Sequence, residues 1–200
     1  MQGDDRAKLV EALGFALDAH GAQTRKGSAV PYASHLLEVS GLVLEHGGNI
    51  DQAVAGLLHD VLEDCEQVDE AALRRRFGDE VARIVGSCSD VLEGDTTTEK
   101  SPWPIRKNLY IEKLRAADDR VRLVAAWDKL QNLRCLIADL RQGGVETLLD
   151  RFNATPAQTR WYYEEVRGAL GADLPERLLS ELDALLGELG RFVPRASREG

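Results

Sequence analysis

Between Gly56 and Asp64 an apolar run with the pattern of a buried helix is broken by His59, Asp60, Glu63 and Asp64. Any fold that buries this segment has to neutralise those groups, because an ionised side chain without a partner is costly inside a core. An adjacent His-Asp pair offers one nitrogen and one oxygen to a single divalent cation, which is a common way to do so. On a helix, Glu63 falls one turn after His59 and Asp64 one turn after Asp60, so the spacing predicts two stacked pairs on one patch.

Elsewhere apolar residues recur at helical spacing, and no stretch keeps the period-two alternation of a half-buried strand. The expected fold class is all-α. The pattern predicts helices over Arg6–His20, from Ser34 as N-cap to a stop at His46-Gly47-Gly48, and through the His-Asp segment after a cap at Asn49 or Asp51. Further helices are expected near Asp69–Phe77, Asp79–Val91, Pro104–Ala117, Asp118–Leu140, Gly144–Arg151, Pro156–Leu170 and Pro175–Gly190. The polar, proline-flanked stretch from Glu93 to Pro104 reads as a surface loop, either a substrate lid or a connector. With 200 residues and 44% hydrophobic content the chain can bury one sizeable core. We expect one domain over residues 1–192 and a frayed tail over 193–200.

A net charge of −9 argues against a nucleic-acid partner, since backbone binding needs a basic surface. No apolar run approaches the roughly 18 residues of a membrane span, and the N-terminus lacks the apolar stretch of a signal peptide. The expectation is therefore a cytoplasmic protein with no membrane partner. Cys65, Cys88 and Cys135 are widely spaced and read as reduced thiols.

A second polar interruption occurs at Val124-Ala125-Ala126-Trp127-Asp128-Lys129-Leu130-Gln131-Asn132-Leu133-Arg134, where Asn132 lies one helical turn after Asp128. Upstream, His35 sits early in a helix, within Pro31-Tyr32-Ala33-Ser34-His35. Taken singly, His35 fits a capping or core histidine as well as a ligand, and Asp128 could pair with Lys129 or Arg134. As a set, His35, His59-Asp60 and Asp128 resemble the HD-domain metal phosphohydrolases. The flanks Ala19-His20-Gly21-Ala22-Gln23-Thr24-Arg25-Lys26-Gly27, Leu57 to Asp64, Phe77-Gly78 and Asp128 to Arg134 are similar to the hydrolase domain of Rel/SpoT enzymes and to free-standing small alarmone hydrolases. Phe152-Asn153 and Trp161-Tyr162-Tyr163 look like the C-terminal part of the compact relatives.

The resemblance implies a compact multi-helix bundle around one divalent cation, Mn²⁺ in most relatives, held by His35, His59, Asp60 and Asp128. It implies Glu63 as the residue that activates water, Asp64 as a group that shares this task, orients the water or supports a ligand, and Asn132 as the orienting amide. Arg25 and Lys26 match nucleotide-binding positions, although a solvated basic pair in a loop is the plain alternative. Arg106 and Lys107 suit a pyrophosphate by charge, and a solvated helix face explains them equally. The implied reaction removes the 3′-pyrophosphate of guanosine tetra- or pentaphosphate (ppGpp or pppGpp). Adenosine alarmones, another phosphorylated nucleotide, or a catalytically silent nucleotide-sensing or partner-binding module are the alternatives. With no synthetase segment in the sequence, the resemblance implies a stand-alone hydrolase. His20 is expected to organise its loop, His46 to be a helix C-terminal cation or surface residue, and Trp127, Trp161, Tyr162 and Tyr163 to pack in the core. The chain departs from the family pattern at Ala22 (commonly Gly), Leu36 (commonly Pro), Gln131 (usually His) and Ser87-Cys88-Ser89-Asp90 (a Thr-Lys pair), and around Lys26 to Pro31, about one residue longer than many members. These departures surround the expected nucleotide pocket.

Overall fold

The computed structural model describes residues 3–146 and 154–195, and its secondary structure is helical apart from an isolated antiparallel bridge between Thr24 and Pro31. The helices are α1 (Gly3–His20), α2 (Ala33–Glu45), α3 (Ile50–Leu58), α4 (Val61–Asp64), α5 (Glu70–Phe77), α6 (Asp79–Cys88), α7 (Trp103–Ala116), α8 (Asp119–Gly143), α9 (Pro156–Leu170) and α10 (Glu176–Phe192). The expected helix over Gly144–Arg151 lies mostly outside the described residues, as do Phe152-Asn153 and the end of the tail.

Local chemistry sets most boundaries. Asn49 and Gln52 form a reciprocal capping box at the start of α3, Asp69 and Asp118 cap α5 and α8, and Thr155 with Gln158 repeats the box at α9. Helix α2 ends at Glu45 with His46 as its C-cap, and Gly47 at φ +84° supplies the left-handed turn. Its start corrects the expectation at Ser34, which lies inside the first turn, while Tyr32 holds the N-cap position without a side-chain cap. Helix α6 stops at Cys88, short of Val91, because Ser89 turns extended and the Asp90 N–H goes to the Glu63 carboxylate at 2.8 Å.

The larger correction concerns the His-Asp segment. A continuous helix through Asp64 was expected, yet α3 ends at Leu58, His59 and Asp60 form a turn, and α4 is a single four-residue turn. Glu63 and Asp64 therefore do not stack on one helical face with His59 and Asp60; the two acids diverge toward different partners.

Helix α8 is the spine, packing against α2, α3, α6, α9 and α10. Its buried positions include Trp127 and Asp128, the latter only 3% exposed. Helix α3 lies close against α2 because Gly56 has no side chain; a Cβ there would stand 3.2 Å from the Ser40 Cα. That approach brings the C-terminal end of α3, with His59, beside the first turn of α2, with His35. One hydrophobic cluster runs from Ala12 in α1 to Val193 after α10. Trp127 and Tyr162 are buried as expected, and Trp161 and Tyr163 pack against the cluster. His46 also packs inward, its ring 4.3 Å from that of Trp127 while Nδ1 donates to the Leu42 carbonyl. Among the described residues no helix is long and apolar enough to cross a membrane.

Candidate metal centre and substrate cavity

Four side chains from three parts of the fold converge below the α2–α3 contact. His35 comes from the first turn of α2, His59 and Asp60 from the turn after α3, and Asp128 from the middle of α8. The two imidazole Nε2 atoms are 3.1 Å apart. Asp60 Oδ2 lies 3.0 Å from His59 Nε2 and 3.5 Å from His35 Nε2, and Asp128 Oδ1 lies 3.3 Å from His35 Nε2 and 3.5 Å from His59 Nε2. Both histidines are buried, His35 completely.

The outward nitrogens fix which atoms face inward. His59 Nδ1 donates to the Gly56 carbonyl at 2.9 Å, and His35 Nδ1 donates to Gln131 Oε1 at 2.6 Å. Each neutral ring thus turns a lone pair toward the centre, where two carboxylate oxygens also point. Tyr32 and Asn132 each donate to one of the two carboxylate oxygens, and the four acceptor atoms facing one another still call for a proton or a cation at their midpoint. A proton is one such charge: burial opposes a charged His59, yet Asp60 and Asp128 hold its pKa well above the ordinary value. Burial likewise opposes ionised Asp60 and Asp128, while His59 for the former and Lys129 with His59 for the latter hold both well below the usual carboxylate range. Two imidazoles and two carboxylates without a thiolate fit a borderline or hard divalent ion with room for water. The ligand atoms of His35, His59 and Asp128 all fall within 4.8 Å of one another, the span one ion bridges.

Beside this centre opens a cavity of about 570 Å³, within the size range of small-ligand sites. Asp64, Lys129 and Asn132 line it on the side of the metal cluster, and Arg25, Lys26 and Lys107 add positive charge to its walls. Asn132 joins the two regions, its Nδ2 donating to Asp128 Oδ1 at 2.5 Å and its Oδ1 accepting from Arg25 Nη2 at 2.6 Å.

The family model for the HD domain matches residues 12–149 of this chain. The chain belongs to the HD-domain family. Within it, the chain falls in the Rel/SpoT-like branch of small alarmone hydrolases. It is 33% identical over 172 residues to the guanosine-3′,5′-bis(diphosphate) 3′-pyrophosphohydrolase MESH1 of Xenopus tropicalis, covering 84% of this chain and 88% of that protein. It is 32% identical to the Homo sapiens protein of the same name, covering 86% and 89%. A solved structure described as a metazoan ortholog of SpoT that hydrolyzes ppGpp superposes with a TM-score of 0.72 at 26% identity, over 92% of this chain and 96% of that one.

In this HD centre Asp64 and Glu63 part company. Asp64 lines the cavity, its Oδ2 accepting from Gln23 Nε2 at 2.9 Å, and Gln23 Oε1 accepts from His20 Nδ1 at 2.7 Å. Burial, then the neighbouring Asp60, raise the Asp64 pKa. Glu63 does not line the cavity; it turns toward Asp90, and burial followed by the Asp90 charge pushes its pKa up to about 7 against the pull of Lys107. Arg106 and Lys107 each bond the buried Asp90 at 2.5 Å, so Asp90 rather than open solvent fixes their heads. Lys107 still reaches the cavity wall, whereas Arg106 does not. The Arg25 guanidinium stands 5.6 Å from the centre of the Tyr32 ring. Of the Glu93–Pro104 stretch, Trp103 at the start of α7 lines the cavity; the preceding loop does not, being tied internally by Asp95 through Ser101 while Thr97 bonds Glu66.

Sequence reasoning gave no role to several residues that hold this HD site together. Tyr32 donates to Asp60 Oδ2 at 2.5 Å, while Lys129 makes the pairing with Asp128 that the sequence left open, donating to Oδ2 at 2.5 Å. Gln23, Asp90 and Gln131 tie down Asp64, the basic pair and His35. Tyr32, Lys129 and Gln131 lie within three residues of a ligand in sequence, whereas Gln23 and Asp90 lie far from the acids they hold.

Proposed function

We propose that this protein is a divalent-metal-dependent pyrophosphohydrolase that removes the 3′-pyrophosphate of guanosine tetra- or pentaphosphate, with Mn²⁺ as its metal. The observation that carries this is the convergence of His35, His59, Asp60 and Asp128 beside a cationic cavity of about 570 Å³ that also holds Asp64 and Asn132. The activity printed for the MESH1 relatives supports the same reading.

A bound cation in this centre lowers the pKa of water and neutralises charge on phosphoryl oxygens. Arg25 and Lys26 receive the nucleotide, Arg25 as a planar cation backed by Tyr32. Lys107 faces the phosphates. Water attacks the phosphorus bonded to the 3′ oxygen, the bond to that oxygen breaks, and pyrophosphate leaves as the 3′ oxygen takes up a proton. Asp64, which faces the cavity, accepts the proton of the attacking water, and Glu63, on the Asp90 side, has a pKa of about 7, suited to proton exchange near neutrality. Asn132 orients the reacting group from its anchor on Asp128. Purified protein with Mn²⁺ and a panel of guanosine and adenosine nucleotides tests the proposal. Release of pyrophosphate from the guanosine 3′-diphosphates, ahead of the adenosine analogues, is the expected result; a preference for the adenosine series would move the substrate assignment.

A further inference from the structure

Gln131 is 5% exposed and uses both ends of its carboxamide. Its Oε1 accepts from His35 Nδ1 at 2.6 Å and from Arg25 Nη2 at 3.3 Å. Its Nε2 donates to Glu38 Oε2 at 3.0 Å and to Cys135 Sγ at 3.2 Å. An ionised carboxylate can only accept, so Glu38 draws the NH₂ end toward itself and leaves the oxygen facing His35. An imidazole that donates through Nδ1 carries its lone pair on Nε2, the atom that meets His59, Asp60 and Asp128. Glu38 is held in turn by Arg134 at 3.4 Å, and Arg134 is paired with Glu181 at 2.7 Å. A connected series of hydrogen bonds therefore runs from the α10 surface to a ligand nitrogen, with Arg134 donating to both Glu181 and Glu38 and Glu38 accepting from both Arg134 and Gln131.

We propose that Gln131 is a positioning residue of the metal centre, which fixes His35 in its ligating tautomer and, through the same oxygen, ties the nucleotide-side Arg25 to that ligand. The inference rests on the metal reading of the four-residue cluster and is independent of which nucleotide is cleaved. Partners of this kind orient the ring and raise its basicity, and their loss weakens metal binding by about 10- to 100-fold. Because Arg25 and His35 share one acceptor, the same loss also removes the tie between Arg25 and that ligand, leaving Arg25 on Asn132 Oδ1.

The test is Mn²⁺ titration calorimetry without nucleotide, paired with the visible spectrum of the Co²⁺-loaded protein. Gln131→Met, with an unchanged circular dichroism spectrum, is expected to bind Mn²⁺ about 10- to 100-fold more weakly and to alter the Co²⁺ spectrum. The double change Gln131→Glu with Glu38→Gln exchanges donor and acceptor while keeping an oxygen on His35 Nδ1, so it should restore affinity and spectrum. A folded Gln131→Met protein with wild-type affinity overturns the inference. Should that variant not fold, the exchanged pair decides: wild-type-like binding supports the inference, and a loss of about tenfold or more overturns it. A wild-type protein that binds no divalent cation would overturn the metal reading and this inference with it.

Discussion

His35 Nε2 and His59 Nε2 face one another at 3.1 Å, each ring having committed its Nδ1 proton to a neighbour. This arrangement is stable only around a positive charge, and a divalent cation that binds the folded state alone must stabilise it. At a free Mn²⁺ concentration of 100 times Kd the gain is about 2.7 kcal/mol. Thermal melts with Mn²⁺ and with chelator should separate accordingly, and Asp128→Asn should remove the separation while remaining folded. Coincident wild-type melts would contradict the assignment.

Gly56 sets the distance between the helices that carry the two histidines. Gly56→Ala places a Cβ 3.2 Å from the Ser40 Cα, so α3 must move away from α2. We expect a loss of about 1–3 kcal/mol, the usual cost of overpacking, together with weaker Mn²⁺ binding. Urea denaturation and calorimetry check both, and undiminished metal affinity would show that the helix spacing does not tune the centre.

Glu63 has a pKa of about 7 in the folded protein against an ordinary value of 4.5. Between these values the folded state holds a proton that the unfolded chain has released, so the contribution of Glu63 to stability falls as pH rises from about 4.5 to about 7. It is fully present below that window and absent above it. In metal-free protein, Glu63→Gln should therefore gain stability relative to wild type as pH increases across the window. Urea midpoints for both proteins at pH values below and above it supply the measurement, and a difference that does not change with pH would contradict this environment for Glu63.

The helices were legible because their signals are local: caps such as Asn49, Asp69 and Asp118 and the spacing of apolar residues belong to the chain before it packs. The break after Leu58 was not legible, since helical periodicity continues through Asp64 and only the convergence of His59 and Asp60 on His35 and Asp128 explains the turn. The candidate ligands stood out as polar residues in apolar helices. The opposite directions of Glu63 and Asp64 depend on Asp90 and Gln23, which lie far from them in sequence. Gln131 read as a departure near the pocket, and its role appears only once α8 is placed against α2.

Asp90 holds Arg106 and Lys107 at 2.5 Å each, with its own side chain only 1% exposed. Asp90→Asn leaves two cations side by side and partly enclosed, a loss we place at about 3 kcal/mol, the low end for a broken buried pair. Because Lys107 lines the cavity, KM for the nucleotide should rise as well. Chemical denaturation with steady-state kinetics checks both effects, and wild-type stability with wild-type KM would show that the Asp90 pairs do not position Lys107.

We propose that the His35, His59, Asp60 and Asp128 cluster holds the metal at which water cleaves a guanosine 3′-diphosphate. The most direct test follows pyrophosphate release from ppGpp by the Mn²⁺-loaded wild-type protein, alongside Glu63→Gln, Asp64→Asn and Asp128→Asn. The expected result is stoichiometric GDP and pyrophosphate from wild type, none after chelation or with Asp128→Asn, and kcat lowered by about 10²- to 10⁴-fold in the two acid variants with Mn²⁺ still bound. Mn²⁺-loaded wild-type protein that releases no pyrophosphate from ppGpp or pppGpp would contradict it.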